Sequence, residues 1–225
     1  MPQASPVKKS AVVFGATGLV GKELLKLLLS DNSYKKVTAV TRKKMLINHE
    51  KLIQVEIKDY NELANFSDKL HADAYFCCIG TTIKKAGSQE AFRKVDHDIP
   101  VIIGQLAEDL SVPSLVIISS IGANASSSNF YLRTKGEMEA SVRKVYSGSL
   151  KFVRPSLLMG KREEFRFGEK TAIVFMIIFG WLFFGPMKRY KGIDAVKVAS
   201  AMIKLADERS GKLVYESDEL ENLVI

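Results

Sequence analysis

The chain has 225 residues, 47% of them hydrophobic, and a formal net charge of +8 at pH 7. This length predicts one domain over residues 1–225, with a flexible lead at 1–9. The positive charge favours anionic partners, but charge alone is too weak a reason to expect nucleic-acid binding. The two adjacent cysteines exclude a disulfide framework, and no apolar signal segment precedes the first strand, so we expect a cytoplasmic protein.

Short β-branched runs alternate with longer segments of helical period, which is typical of βαβ units. The predicted strands cover residues 11–14, 36–41, 52–57, 74–79, 114–119, 151–154 and 212–216. The predicted helices cover residues 18–30, 61–70, 88–110, 129–146 and 194–207. This succession predicts an α/β fold with a doubly wound, Rossmann-like parallel sheet, whose ligands bind beyond the carboxyl ends of the strands.

Three glycines, Gly15, Gly18 and Gly21, follow the first predicted strand and open the first predicted helix. A tight turn, a close approach of backbone to a pyrophosphate and close helix packing each exclude a side chain. The helix N-terminus would then offer free N–H groups to the phosphates. The motif predicts dinucleotide binding; a purely structural turn is the alternative.

The end of the second predicted strand favours NADP over NAD. An NAD site usually has a carboxylate there for the ribose 2′-OH, whereas basic residues accommodate a 2′-phosphate. Here the sequence has Arg42, Lys43 and Lys44 and no acidic residue. A solvated basic turn is the alternative, especially for Lys44.

Candidate catalytic residues follow the fifth predicted strand. Ser119 and Ser120 end it, and Tyr131 and Lys135 lie four residues apart on the next predicted helix, so they share a face. A phenol is a poor acid at pH 7 unless a nearby cation favours its charged form, and Lys135 can supply that charge. Ser120 could hydrogen-bond the carbonyl oxygen that Tyr131 protonates. An amphipathic helix surface is the alternative.

Several longer stretches carry a family resemblance: "GATGLVGKELL", "VTRKK", "FCCIGTT", "SSIGANASSSNFYLRTKGEMEA" and "FVRPSLLMGKREEFRFGE". The chain resembles atypical short-chain dehydrogenases/reductases, specifically the Tat-interacting-protein-like oxidoreductase branch. The resemblance implies a Rossmann-like sheet that binds NADPH, with a tyrosine and a lysine at the active site. The cofactor contacts that it implies are Thr17, Gly18, Leu19, Val20, Arg42, Lys43, Ile79, Gly80, Tyr131, Lys135, Leu158 and Arg166.

Other polar residues are given simpler interpretations. Asp59 either contacts adenine or caps the turn that follows it. We predict that Asp96 and Asp98 form a solvated polar face. We predict buried thiols for Cys77 and Cys78 rather than a redox pair. The three histidines lack metal-ligand spacing, and no metal is expected.

The segment 171–187 has no charged residue. A buried helix and loop beside a ligand pocket is expected there, and contact with a membrane surface is the alternative. The function that these observations favour is NADPH-dependent reduction of a carbonyl on an apolar or medium-sized small molecule. A redox-responsive adaptor that binds NADPH and recruits a protein partner or a membrane is the alternative, and a homodimer stays open.

Overall fold

The computed structural model describes residues 8–159, 192–208 and 210–224. Arg166 and the segment 171–187 lie outside these ranges. The strands of the described ranges are β1 (Lys9–Phe14), β2 (Tyr34–Thr41), β3 (Leu52–Glu56), β4 (Ala74–Cys77), β5 (Ser114–Ile118), β6 (Ser149–Arg154), β7 (Leu158–Met159), β8 (Ile193–Asp194) and β9 (Val214–Glu216). Seven of them form one parallel sheet in the order β3-β2-β1-β4-β5-β6-β9, and β7 pairs with β8.

Helices cover both faces of the seven-stranded sheet. They are α1 (Leu19–Ser30), a 3-10 helix (Tyr60–Phe66), α2 (Ser67–Leu70), α3 (Ile83–Ala86), α4 (Gln89–Arg93), a π-helical turn (Lys94–Asp98), α5 (Ile99–Asp109), α6 (Phe130–Val145), α7 (Ala195–Asp207) and α8 (Ser217–Asn222). Helices α1 and α7 pack on one face, and α5 and α6 pack on the other. The predicted single-domain α/β fold with a doubly wound parallel sheet is confirmed.

Alternate side chains of the central strands enter opposite cores. On β1, Val13 faces the core shared with α1 and α7, while Val12 and Phe14 face the core shared with α5 and α6. All three are fully buried. A parallel sheet covered on both faces therefore needs strands that are apolar throughout, as this one is.

The sheet order places the ligand crevice. Strands β1 and β4 are neighbours, and the later strands extend the sheet outward from β1 on one side and from β4 on the other. The connecting segments therefore diverge and leave a gap beyond the carboxyl ends of β1 and β4. The backbone remains paired beyond β4, where the Cys78 N–H donates to the carbonyl of Phe14 at 2.8 Å. The topology consequently predicts a ligand crevice beyond the carboxyl ends of β1 and β4, beside the turn after β1 and the segment after β4.

Some predicted boundaries differ from the structure. Strand β1 begins at Lys9, inside the range 1–9 predicted as a flexible lead. Strand β4 ends at Cys77, before the predicted end at residue 79, because the chain leaves the sheet where the turn at Gly15 packs against it. The β7–β8 pair and α8 had no sequence prediction, and two strands of two residues are too short to produce a periodic signal.

The helix predicted over 88–110 is interrupted by the π-helical turn between α4 and α5. Pro100 lacks an N–H, and its ring would meet the carbonyl of Asp96, four residues earlier, in a regular α-helix. The turn widens instead, and the Ile99 N–H donates to the carbonyl of Lys94, five residues earlier. This widening changes which side chains of the turn face the core.

No helix within the described ranges combines the length and the apolar character that a membrane crossing requires.

Candidate active site

Steric contacts in the turn after β1 explain two of its three glycines. Gly15 has a φ of +82°, and a Cβ there would lie 2.8 Å from the carbonyl carbon and oxygen of Cys78. A Cβ on Gly21 would lie 2.1 Å from the carbonyl oxygen of Gly15. The Gly18 N–H closes the turn by donating to the same oxygen at 2.9 Å. Gly15 and Gly21 are therefore required by the turn itself.

The N-terminus of α1 fits a nucleotide pyrophosphate. Gly18 is the N-cap, no side chain caps the helix, and its first turn has no acidic residue. Gly18 and Thr17 are exposed, Leu19 is half-buried and Val20 is buried. N–H groups at an uncapped helix start, together with the helix dipole, favour a phosphate. The residues present thus fit a dinucleotide, and their assignment as cofactor contacts stays a prediction.

The segment after β2 is basic and exposed. Arg42, Lys43 and Lys44 are all exposed, and the Thr41 hydroxyl shapes their turn by donating to the carbonyl of Lys43 at 2.9 Å. Arg42 also acts on Tyr60. Burial and Cys77 raise the pKa of Tyr60 overall, and the Arg42 guanidinium opposes this effect. The predicted 2′-phosphate residues are therefore accessible and beside the sheet edge.

Asp59 caps the 3-10 helix, since its carboxylate accepts the Asn61 N–H at 3.1 Å. This bond lowers the pKa of the Asp59 carboxyl below its usual range. Capping, one of the two predicted roles, is what the structure shows. Contact with adenine stays a prediction.

A buried ion pair lies beneath the segment after β4. Lys135 Nζ is 2.8 Å from Asp96 Oδ1, and their side chains are only 3% and 1% exposed. The Thr81 N–H donates to Asp96 Oδ2 at 2.8 Å. The predicted solvated face is wrong for Asp96, because the π-helical turn directs it inward, whereas Asp98 is exposed as predicted. Pro100 inside a helical pattern indicated an irregular turn, but not which side chain that turn would bury.

Gly80 lies directly over this pair, and Ile79 beside it is buried. A Cβ on Gly80 would be 3.4 Å from Asp96 Oδ1 and 3.9 Å from Lys135 Nζ. Gly80 itself is exposed. Only a thin layer of backbone consequently separates the ion pair from solvent at this point.

Tyr131 is half-buried one turn before Lys135 on α6, and its ring lies 5.6 Å from that of Phe92. Burial acts to lower the pKa of Lys135, but Asp96 and Tyr131 act in the opposite direction, and the net result is a raised pKa. The Lys135 ammonium therefore stays charged at neutral pH. A permanent positive charge beside a phenol is what general-acid chemistry by Tyr131 needs.

The two serines at the end of β5 have different surroundings, although both are buried. The Ser119 hydroxyl donates to Glu139 Oε1 at 2.5 Å. The Ser120 hydroxyl has only a long contact of 3.4 Å to the carbonyl of Ile121. Ser119 thus belongs to a structural network, while the Ser120 hydroxyl is not part of it.

The loop that follows Ser120 is packed tightly onto α6. The Asn124 N–H donates to the carbonyl of Leu132 at 3.1 Å. A Cβ on Gly136, the residue after Lys135, would lie 2.2 Å from Ala125 N. Gly136 lets the loop and α6 meet, and the sequence offered no reason to select it. The roles of Ser120, Tyr131 and Lys135 stay predictions.

The remaining predicted site residues are divided between described and undescribed parts of the chain. Leu158 lies in β7, half-buried against the core shared with α1. Arg166 and the segment 171–187 fall outside the described residues. Within the described ranges, no group of three or more His, Cys, Asp or Glu side chains could hold a metal ion.

Both cysteines are free thiols, and the predicted burial is confirmed for Cys77 but is only partial for Cys78. Cys77 is fully buried, and burial raises its pKa to about 11. Cys78 is half-buried, and its pKa is also raised, first by burial and then by Cys77. Thiols held in the protonated form are poor nucleophiles at neutral pH.

Residues 11–214 match the profile of the NAD dependent epimerase/dehydratase family. The chain belongs to this family. Protein HTATIP2 of Rattus norvegicus is 36% identical over 221 residues, which cover 96% of this chain and 88% of that protein. Protein FMP52-1, mitochondrial, of Scheffersomyces stipitis is 37% identical over 156 residues, covering 68% of this chain and 69% of that protein. The resemblance to the Tat-interacting-protein-like branch is confirmed.

Several solved structures of other proteins have a similar fold. WbmG of Bordetella bronchiseptica in complex with NAD is similar with a TM-score of 0.70 at 12% identity, covering 95% of this chain and 73% of that one. A UDP-N-acetylglucosamine 4-epimerase of Methanobrevibacter ruminantium has a TM-score of 0.68 at 18% identity, covering 92% and 75%. The chain therefore has the NAD(P)-dependent epimerase/dehydratase-type oxidoreductase fold of its family.

The expectation of a cytoplasmic location is wrong. Several relatives, among them the FMP52 proteins of Candida albicans and Debaryomyces hansenii, are named as mitochondrial proteins. A low cysteine content reports a reducing compartment, and such compartments are not restricted to the cytoplasm.

Proposed function

We propose that this protein is an NADP-dependent reductase that converts the carbonyl of an aldehyde, ketone or quinone into an alcohol, on an apolar or medium-sized substrate. The observation that carries the proposal is the charged, buried Lys135 one turn from Tyr131, beneath the backbone that lines the crevice. On an amphipathic helix surface, the alternative, the lysine would lie in water, whereas Lys135 is only 3% exposed. Membership of the NAD dependent epimerase/dehydratase family supports an enzyme, and the reduction and the choice of cofactor are proposals.

The preference for NADP rests on the exposed Arg42 and Lys43 after β2. Both residues of the proposed 2′-phosphate contact are within reach of a cofactor, because both are exposed. A charge-assisted contact to a phosphate is stronger than a neutral hydrogen bond. NADH offers only a 2′-hydroxyl at that place and gains less.

The proposed mechanism uses three side chains. When bound, NADPH supplies the hydride that adds to the carbonyl carbon. Ser120 donates a hydrogen bond to the carbonyl oxygen and orients it. Tyr131 gives its hydroxyl proton to that oxygen, so the C=O double bond becomes a C–OH group. Lys135 stabilises the phenolate that Tyr131 becomes, until a proton from water restores it.

We also propose a mitochondrial location, on the strength of the names of the FMP52 relatives. The proposed partner is a small-molecule substrate. Fractionation of cells that express the full chain with a C-terminal tag tests the location, and recovery outside the mitochondrial fraction would contradict it.

Binding and turnover test the reaction. Calorimetry with NADPH and NADH measures cofactor choice, and a screen of aldehydes, ketones and quinones follows NADPH consumption by its absorbance. We expect NADPH to bind more tightly and at least one carbonyl class to be reduced. Tight NADPH binding without turnover on any of the three classes would contradict the reductase and favour an NADPH-binding adaptor.

A further inference from the structure

We propose that Asp96 is a positioning residue, which holds Lys135 beneath Gly80 and which must be a carboxylate to do so. The inference deepens the proposed function and rests on it. It assigns a role to a side chain that sequence reasoning placed in solvent.

The partners of Asp96 explain the need for a carboxylate. Oδ1 faces the Lys135 ammonium and Oδ2 faces the Thr81 N–H, each at 2.8 Å. Both partners are donors, and an ionised carboxylate offers two acceptors and no donor. Asparagine at this position would satisfy one partner and direct its NH₂ group at the other. The isosteric change from aspartate to asparagine is therefore not conservative here.

Asp96 connects two separate parts of the candidate site. Asp96 joins the catalytic helix α6, through Lys135, to the backbone that follows β4, through Thr81. That backbone includes Gly80, which is exposed and lies directly over the pair. Loss of the carboxylate therefore releases both the ammonium and the crevice wall that covers it.

Burial makes the pair mutually dependent. An ion of either sign that is buried alone is strongly unfavourable, whereas removal of both members of a buried pair is often tolerated. Asp96 and Lys135 are each almost fully buried. The carboxylate keeps the ammonium charged as well as in place.

Among the described residues, three titratable groups act on the Lys135 ammonium: Asp96 from the π-helical turn, Tyr131 from α6 and Cys77 from β4. Burial lowers the pKa of Lys135, and these three groups raise it, Asp96 most of all. Without Asp96, Lys135 loses its proton at a lower pH. Any process that needs the charged ammonium then fails at a lower pH than in the wild-type protein.

The first experiment compares Asp96→Asn with Asp98→Asn. Asp98 is a matched control, because it lies in the same π-helical turn, is exposed and contacts His97 instead. We expect Asp96→Asn to lower NADPH affinity and kcat each by about 10- to 100-fold, the scale of a small misplacement of a catalytic group. Asp98→Asn should leave both unchanged. Equal behaviour of the two variants would overturn the proposal.

The pH dependence of NADPH affinity separates positioning from a general structural effect. In Asp96→Asn the alkaline loss of affinity should begin at a lower pH than in the wild-type protein. A merely destabilised fold would weaken affinity at every pH without moving this limb. An unmoved limb would overturn the proposal.

A double-mutant cycle tests the pair in the ligand-free protein by thermal unfolding. We expect Asp96→Asn to lower Tm, and Asp96→Asn combined with Lys135→Met to recover much of the loss, because no buried charge is then left alone. If Asp96→Asn does not fold, the double variant should fold. Additive losses, or failure of both variants to fold, would overturn the proposal.

Failure of the proposed function is distinguishable from failure of this inference. If the wild-type protein binds NADPH and reduces no carbonyl, the proposed reductase activity is wrong. The NADPH affinity, its loss at alkaline pH and the double-mutant unfolding cycle still decide the role of Asp96. If carbonyls are reduced and Asp96→Asn is as active as Asp98→Asn, the reductase stands and the positioning role is wrong.

Discussion

Gly21 and Gly15 approach each other so closely that a Cβ on Gly21 would lie 2.1 Å from the carbonyl oxygen of Gly15. Gly18 differs from both of them. Its φ of −75° is ordinary for any residue, and its Cβ would lie 3.3 Å from the same oxygen. The three glycines of the motif therefore serve different ends: two build the turn, and one leaves room outside it.

We predict opposite consequences for Gly21→Ala and Gly18→Val. Gly21→Ala should destabilise the fold by about 3 kcal/mol, because the new methyl group meets backbone. Gly18→Val should leave a folded protein that no longer binds NADPH, because the side chain occupies the place of the pyrophosphate. Thermal unfolding and calorimetry measure the two effects. Normal NADPH binding by Gly18→Val would contradict the assignment of the pyrophosphate site.

Arg42→Ala should remove most of the preference for NADPH. We expect the wild-type protein to bind NADPH at least tenfold more tightly than NADH, a difference of about 1.4 kcal/mol. Without Arg42 the NADPH affinity should fall towards that of NADH, whose affinity stays unchanged. Lys44→Ala, also exposed, is the control and should change the ratio less. Equal affinities of the wild-type protein for both cofactors, by calorimetry, would show that the basic segment does not select the cofactor.

Tyr131→Phe should lower the turnover of any reduced carbonyl by about 100-fold or more, the usual scale for a general acid. The ring that packs near Phe92 is kept, so NADPH affinity should change little. Tyr146→Phe is the control, because the Tyr146 hydroxyl donates to the buried carbonyl of Val112 at 2.7 Å, away from the site. Its loss should reduce stability by about 1 kcal/mol without affecting turnover. Turnover that survives Tyr131→Phe would refute the acid role.

Cys77 should react slowly with thiol reagents at neutral pH. Its pKa of about 11 leaves about one part in a thousand ionised at pH 8, and the thiolate is the reactive form. The labelling rate of the folded protein should rise with pH up to that value. The protein unfolded in urea is the control, and both of its cysteines should be labelled rapidly. Rapid labelling of Cys77 in the folded protein at pH 7 would contradict its burial.

Glu139→Gln should destabilise the protein by about 2–4 kcal/mol, the scale for breaking a buried ion pair. The nearly buried Glu139 accepts from Ser119, and it accepts from Arg154 at 2.9 and 2.6 Å. Glu137→Gln is the control on the same helix, since Glu137 pairs with the partly exposed Arg93. It should cost less than about 1 kcal/mol. Equal losses in urea unfolding would show that the network is not what stabilises this end of the sheet.

Local physical rules account for what the sequence determined by itself. The alternation of strands and helices, and hence the parallel sheet, follows from periodicities that depend on near neighbours. The glycine turn was predictable because a tight turn before a helix excludes side chains within a few residues. The position of the basic segment at Arg42 was also predictable, because the segment directly follows a strand that the sequence pattern identifies.

Only the tertiary structure decided which polar residues are buried and with which partners. Asp96 and Asp98 are alike in sequence, but the widened turn before Pro100 directs Asp96 to Lys135 and leaves Asp98 in water. Ser119 and Ser120 are adjacent, yet it is the Ser119 hydroxyl that donates a hydrogen bond to Glu139 on α6. The cost of burying a polar group depends on a partner that is distant in sequence, so local patterns cannot predict it.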